Sequence, residues 1–205
     1  MILPLWYAIL LAIAFGLFPV IILICLKLYP PPKFSILRRT ISGLGSPDHR
    51  SHKIFNPTMI IMGIIITPLP YFLLQVLPLN WMTTIGIITF FGVPVGLLFI
   101  GLFHENRNTG HMAGAYMSLG GSLLTNIFLF YPILESALNL AINLIQIIIL
   151  IVCFPLAYAF VKHMPSYEPD KPIEKISHNV NLWEWSVFLS LIAWIAALYI
   201  NLLVV

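Results

Sequence analysis

The feature that most constrains this chain is a series of long apolar runs that contain almost no charge. Hydrophobic residues make up 60% of the 205 residues and charged residues only 8%. A helix needs about 20 apolar residues to cross the hydrocarbon core of a bilayer. The runs are continuous rather than alternating, and a chain in lipid must satisfy its own backbone hydrogen bonds, so they predict helices. The sequence therefore indicates an all-α membrane protein with one integral domain, residues 1–205, and almost no soluble portion.

We predict a six-transmembrane-helix bundle from these runs. The first run has no positive charge before it and is longer than the apolar part of a signal peptide, so we expect it to be retained. Prolines inside the spans should kink or locally break the helices, because proline removes a helical hydrogen bond. These prolines are Pro68, Pro70, Pro94 and Pro155. The predicted spans are 2–26, 57–77, 82–103, 112–131, 138–161 and 182–205.

The placement of charge predicts the topology. All ten Lys and Arg residues and all six histidines fall in three connections, 27–56, 104–111 and 162–181. With six spans, these connections lie on one side of the membrane. Short cytoplasmic loops carry the excess of Lys and Arg. We therefore expect a multi-pass protein of the cell membrane in which these three connections are cytoplasmic and both termini are outside.

Small residues recur every four positions on two neighbouring predicted spans. Such spacing lets the backbones of two membrane helices approach closely, which is how helices associate in lipid without a hydrophobic driving force. We therefore predict a tight contact between the third and fourth spans. The residues are Gly92 and Gly96 in the third span, and Gly110, Gly114, Ser118 and Ser122 at and within the fourth.

The scarce polar residues concentrate in the first and third connections, which predicts a site at the level of the lipid headgroups. Arginine holds phosphate through paired hydrogen bonds, and the start of a helix favours anions. The alternative interpretation is a solvated loop whose basic residues set the topology and touch anionic lipid. The candidates for binding a lipid or another anion are Arg38, Arg39, Ser42, Asn56, Arg107 and His111.

The same connections also contain groups that could transfer protons or hold a metal. Histidine and carboxylate side chains suit general acid–base chemistry. The candidate catalytic residues are His111, His104, Glu105 and Asp48. His49, His52 and His104 are weak metal candidates, because their spacing matches no established zinc motif. We expect no cofactor, since a haem would need histidine pairs in mid-membrane and a retinal would need a mid-span lysine.

Polar side chains also lie within the predicted spans. Asn139, Asn143 and Gln146 share one face of the fifth span, and Asn126 lies in the fourth. Such groups usually face the bundle interior, where they either line a path or hydrogen bond between helices. Since no ionisable residue accompanies them, we favour interhelical hydrogen bonding.

The order of several short motifs resembles a widespread family of small six-span prokaryotic membrane proteins of unknown function, the DUF998 family. That family distantly resembles the eukaryotic FRAG/DRAM/Sfk-type membrane proteins, which act around phosphoinositides, lipid-anchor remodelling and lysosomal membranes. The resemblance runs from about Arg38 to the C-terminus. The motifs are ISGLGSP, FNPTMIIMGI, GLLFIGLFHEN, GHMAGAYMSLGG and LWEWSVFLSLIAWIAAL.

The resemblance implies shared positions in these motifs and favours lipid as the ligand class. This sequence departs from the family pattern at two places. It has His104 and Glu105 where the family has proline and an acid, and Glu184 and Trp185 where the family has a Gln-Arg pair. The implied shared residues are Ser42, Leu44, Gly45, Asn56, Gly101, Phe103 and His111.

Three functions are compatible with these patterns. The first is a non-enzymatic membrane protein that binds or organises anionic lipid at the cytoplasmic face, or serves as a subunit of a membrane complex. The second is a lipid-modifying enzyme with a His/acid site at the headgroup level, and the third is a small-molecule permease. The expected partners are membrane lipids, with further copies of the chain or other subunits of a membrane complex as alternatives; nothing in the sequence points to a nucleic acid.

Overall fold

The described part of the chain is entirely helical. The computed structural model describes residues 3–29, 40–104, 109–136, 138, 148, 151–152, 155, 158 and 178–204, and its side chains in the last stretch from 184 onward. Within these residues every regular element is a helix and none is a strand. A short 3₁₀ turn at Ser42–Gly45 precedes the second helix. The helices are α1 Leu5–Leu28, α2 His52–Ile66, α3 Leu69–Leu74, α4 Trp81–Phe90, α5 Gly92–Leu102, α6 Thr109–Glu135 and α7 His178–Val204.

Five helical stretches of the described chain are long and apolar enough to cross a membrane. The second begins at His52 rather than at the expected Pro57, which lies inside α2. The predicted span 138–161 lies largely outside the described residues, so the count of six stays a prediction. The five stretches are Leu5–Leu28, His52–Leu74, Trp81–Leu102, Thr109–Glu135 and Glu184–Val204.

Proline breaks two of the crossing stretches, as the sequence predicted for Pro68, Pro70 and Pro94. The second stretch divides where α2 ends at Ile66, and Pro68 and Pro70 stand at the start of α3. The third stretch divides at Phe91. Since Pro94 has no N–H to donate to the carbonyl four residues earlier, α4 cannot continue regularly into α5.

Contacts between helix ends fix the direction of each helix. The end of α1 meets the start of α2 where the Cys25 Sγ donates to the Ser51 carbonyl over 3.9 Å. The second stretch leaves this end of the bundle and the third returns to it, because the rings of His52, at the start of the second, and His104, just after the third, lie 5.9 Å apart. Helix α7 starts at this same end, which we call the polar end. The polar end comprises residues 25–29, 40–56, 101–104, 109–111 and 184–185.

Helices α6 and α7 both start at the polar end. Helix α6 leaves it at Thr109 and reaches the far end at Glu135, and α7 begins at the polar end again. The predicted span 138–161 lies between these two helices in the sequence and stays a prediction.

Helices α5 and α6 pack through their backbones, which confirms the contact predicted from small residues. A Cβ atom added to Gly96 would lie 2.5 Å from the Gly114 carbonyl oxygen, a distance that real Cβ atoms do not show. A Cβ atom on Gly92 would lie 3.0 Å from the Met117 carbonyl oxygen. The predicted member Gly110 instead faces the ring of Phe103, in the turn between the helices. We call the backbone contact of Gly92 and Gly96 with α6 the α5–α6 seam.

Candidate functional site

Charged side chains among the described residues divide unequally between the two ends of the bundle. The far end has the single charged residue Glu135, whose carboxylate accepts a hydrogen bond from the hydroxyl of Tyr131. All the other charged residues that the structure describes lie at the polar end. They are Lys27, Asp48, Arg50, Lys53 and Glu184, of which Glu184 is half-buried and the other four are exposed.

The 3₁₀ turn at the polar end is held by a carboxylate from the last helix. The Glu184 Oε1 accepts hydrogen bonds from both the backbone N–H and the hydroxyl of Ser42, over 3.0 Å and 2.5 Å. Hydrogen bonds to an ionised acceptor are about twice as strong as neutral ones. This pair joins segments 142 residues apart and ties the first connection to α7.

Two side chains at the start of α2 bind the other end of the same turn. The Ser51 hydroxyl donates to the Leu44 carbonyl over 2.8 Å, and the Asn56 amide donates to the Gly45 carbonyl over 3.2 Å. A Cβ atom on Gly45 would lie 2.5 Å from the Asn56 Oδ1. A larger residue at position 45 would therefore have to displace the Asn56 amide, which now donates to the Gly45 carbonyl.

The turn between α5 and α6 is held by His111. This imidazole is 4% exposed, and its Nδ1 lies 2.9 Å from the carbonyl oxygen of Phe103, the residue that ends α5. A carbonyl oxygen only accepts, so the Nδ1 carries the proton and donates it. The imidazole thus satisfies a carbonyl that the end of a helix leaves without an intrahelical partner.

Three further histidines lie around the first and third connections. The His49 ring lies against the Tyr29 ring with centroids 4.2 Å apart. The His52 Nδ1 lies 2.6 Å from the His49 carbonyl, to which it must donate. The centroids of the His52 and His104 rings lie 5.9 Å apart. Of the three weak metal candidates from the sequence, the structure brings the rings of His52 and His104 near each other, whereas His49 contacts His52 through its backbone carbonyl.

Three buried polar atoms in the described part of the chain have no hydrogen-bond partner. They are the Nδ1 of His49, the Oδ1 of Asn56 and the Nε1 of Trp194. Asn56 is 6% exposed and Trp194 is 1% exposed. An unpaired buried polar atom costs about 1–3 kcal/mol of stability, so these are places where a further partner would be favourable.

The sequence-predicted anion and catalytic candidates are only partly represented among the described residues. Arg38, Arg39, Glu105 and Arg107 lie outside them. Ser42 and Asn56 lie together at the 3₁₀ turn, where both bind protein groups. Asp48 is exposed and lies 3.5 Å from the Ser46 hydroxyl, while His104 is exposed beyond α5. Within the described ranges, no group of three His, Cys, Asp or Glu side chains could hold a metal ion.

Polar side chains inside α6 donate to carbonyls of their own helix, and one of them also contacts α4. The Asn126 amide donates to the Ser122 carbonyl of its own helix over 2.9 Å. The Thr125 hydroxyl donates to the Gly121 carbonyl over 2.7 Å and lies 3.1 Å from the Thr89 hydroxyl of α4. The other members of the predicted intramembrane set, Asn139, Asn143 and Gln146, lie outside the described residues.

Comparison with known families gives one match across most of the chain. A family model described as a protein of unknown function, DUF998, matches residues 12–201. The chain belongs to the DUF998 family. This membership confirms the resemblance drawn from the sequence motifs. No curated protein and no solved structure matches the chain.

The residues implied by the DUF998 resemblance share a structural role at the polar end. Three pairs hold this end together: Ser42 with Glu184, Gly45 with Asn56, and His111 with Phe103. Gly101 belongs to the same set, since a Cβ there would lie 2.5 Å from the Asn56 carbonyl oxygen. Leu44 contributes the carbonyl that accepts from Ser51.

Sequence reasoning missed Glu184 as a member of this set. Glu184 stands where the family pattern has a different pair, and it lies at the start of an apolar helix far along the chain. The sequence does contain a signal for Glu184, since it is a single acid at the start of a long apolar run. Such an acid requires hydrogen-bond donors, and Ser42 provides two.

Proposed function

We propose that this DUF998 protein binds the headgroups of anionic lipids at its polar end. The observation that supports this proposal is the exposure of Lys27, Arg50 and Lys53 at the ends of two crossing helices. Each Lys or Arg near an anionic bilayer surface contributes about 1 kcal/mol of attraction. The far end, with Glu135 as its described charge, offers no comparable attraction.

The hydrogen bonds around the 3₁₀ turn hold the proposed binding surface in one conformation. Ser51 and Asn56 join the turn to the start of α2, and Glu184 joins it to α7. The Cys25–Ser51 contact keeps the end of α1 beside them. These contacts hold the segment that carries Arg50 and Lys53 in a fixed position at the end of α1, which carries Lys27. A lipid headgroup would therefore meet positive side chains at a fixed level of the bilayer.

The burial of His111 favours binding over catalysis at this residue. Its imidazole is 4% exposed and its Nδ1 donates to the Phe103 carbonyl, so it serves the contact between the ends of α5 and α6. The permease hypothesis routes a polar path along Asn126, Asn139 and Asn143, of which the structure describes only Asn126, whose amide donates to the Ser122 carbonyl of its own helix.

The binding proposal can be tested with the full chain in nanodiscs of defined lipid. The protein is reconstituted in mixtures of phosphatidylglycerol and phosphatidylcholine, extracted gently, and its retained lipid is quantified by native mass spectrometry. We expect enrichment of phosphatidylglycerol, and a loss of about 100-fold in relative affinity in the K27Q/R50Q/K53Q variant, from about 1 kcal/mol for each cation. The enrichment should also weaken as salt is added, because exposed charges are screened.

The matched control is E135Q, which removes a charge from the far end. This variant should retain lipid as the unaltered protein does. Equal retention of phosphatidylglycerol by the triple variant and the control would refute the proposal.

A lipid-modifying enzyme is the second candidate, because the first and third connections converge where His52 approaches His104. A general acid or base within reach of a headgroup would need one of these imidazoles. The test is the lipid composition of whole cells that contain the H104N variant in place of the native protein. A changed composition would favour the enzyme, and an unchanged one would leave lipid binding as the function.

A further inference from the structure

Two imidazole rings from different connections lie close to the separation expected for ligands of one metal ion. His52 begins α2, and His104 follows α5. Their ring centroids are 5.9 Å apart, with the planes inclined by 47°. Zinc binds imidazole nitrogen at about 2.0–2.1 Å, which places the centroids of two rings on one tetrahedral ion about 5 Å apart. The two rings therefore need to approach by less than about 1 Å to share an ion, and the exposed His104 side chain is free to make that adjustment.

The hydrogen bond made by His52 selects the tautomer with the proton on Nδ1, which leaves Nε2 able to bind a metal. Its Nδ1 donates to the His49 carbonyl, 2.6 Å away. In the neutral ring, the Nε2 then has a free lone pair. Metal-ligating histidines almost always donate their other ring N–H to a carbonyl or carboxylate, which orients the ring and raises the basicity of the ligand. His49 therefore acts as a positioning residue through its backbone.

We propose that His52 and His104 form a two-imidazole site for a divalent late transition-metal ion of the zinc class. Imidazole suits zinc, copper and nickel, whereas magnesium and calcium prefer oxygen ligands. No third His, Cys, Asp or Glu joins the pair among the residues that the structure describes. Water or another oxygen ligand would complete the coordination, as in metal sites that bind exogenous molecules. This inference does not depend on lipid binding.

The test is metal binding by the full chain, purified in detergent without a polyhistidine tag. Isothermal titration with Zn²⁺ measures the dissociation constant, and Co²⁺ provides an absorption spectrum that reports the ligands directly. We expect one equivalent of Zn²⁺ to bind, and H104A and H52A each to weaken binding by at least about tenfold. Mg²⁺ should not compete.

The matched control is H49A, which removes a neighbouring imidazole but keeps the carbonyl that holds His52. This variant should bind Zn²⁺ as the unaltered protein does. The same affinity in all four proteins, or an equal loss in H49A, would overturn the assignment to the His52–His104 pair.

A second measurement separates loss of the site from loss of the fold. His104 is exposed, so the thermal midpoint of H104A without metal should match that of the unaltered protein. Added Zn²⁺ should raise the midpoint of the unaltered protein and of H49A, because a ligand that binds only the folded state stabilises it. An equal rise in H104A would contradict the proposal.

Discussion

The α5–α6 seam and the polar end are both tightly joined, but by different groups. At the seam, glycines bring two backbones together, and almost no side chain takes part. At the polar end, side chains bind backbone groups across long sequence separations, as Glu184 does with Ser42. The seam depends on the absence of atoms, whereas the polar end depends on particular donors and acceptors. The two regions should therefore respond to different kinds of substitution.

The largest effect is expected from adding one carbon to the seam. In G96A the new Cβ would lie 2.5 Å from the Gly114 carbonyl oxygen, and backbone cannot rotate away as a side chain can. We expect a loss of about 3 kcal/mol in the free energy of unfolding, the upper part of the usual range for overpacking. Thermal or denaturant unfolding in detergent measures it.

The matched control is G120A, which adds the same carbon to another glycine of α6. Nothing lies within 4 Å of a Cβ built on Gly120. Alanine there should leave stability unchanged or raise it by up to about 1 kcal/mol, because alanine favours the helix over glycine. Similar destabilisation by G96A and G120A would show that the seam is not the close contact described.

The seam was predictable from sequence because its cause is local. Small residues four apart on one helix face allow close approach whatever the partner, so Gly96 and Gly114 could be read in advance. The helix breaks at Pro68 and Pro94 were predictable for the same reason, since each proline acts on its own helix. Apolar length alone likewise located the five described crossing stretches.

The polar end was not predictable in the same way, because its contacts join distant parts of the chain. Ser42 and Asn56 could be marked as polar residues of the first connection, but not as partners of Glu184 and the Gly45 carbonyl. His111 was expected at an anion site, and the Phe103 carbonyl that it binds carries no side-chain signal. Sequence marked Ser42, Asn56 and His111 in this region but missed Glu184, and only the three-dimensional contacts show what each of them binds.

The next largest effect should come from removing the carboxylate at the polar end. E184A removes both hydrogen bonds to Ser42, and bonds to charged groups contribute about 1.5–3 kcal/mol. We expect a loss of about 2 kcal/mol in E184A, and a smaller loss in E184Q, whose amide oxygen still accepts.

A double-mutant cycle with S42A isolates this contact. S42A removes the hydroxyl donor but keeps the backbone N–H, so the double variant should be more stable than the sum of the two single losses implies. Strictly additive losses would mean that Glu184 stabilises the protein through some other neighbour.

A smaller effect is expected from His111, which holds the turn between the two helices of the seam. H111A removes the donor to the Phe103 carbonyl, and we expect a loss of about 1.5 kcal/mol. H111N should recover part of it, because the asparagine amide can reach the position of the Nδ1. The lipid composition of cells should be unchanged in both variants. A changed composition with full rescue of stability in H111N would reveal a catalytic imidazole instead.

The smallest effect should come from the one described hydroxyl pair that joins α4 to α6. The Thr125 hydroxyl lies 3.1 Å from that of Thr89, and each hydroxyl can donate its one proton either to the other or to a carbonyl of its own helix. T125V therefore leaves Thr89 satisfied, and the interhelical bond should contribute only about 0.6 kcal/mol. T67V is the matched control, since the Thr67 hydroxyl bonds only within its own segment to the Gly63 carbonyl. A loss above about 2 kcal/mol in the free energy of unfolding, in T125V but not in T67V, would contradict this expectation. It would mean that side-chain hydrogen bonds hold α6 in place as well as close backbone approach. The packing of α6 would then no longer differ in kind from the polar end.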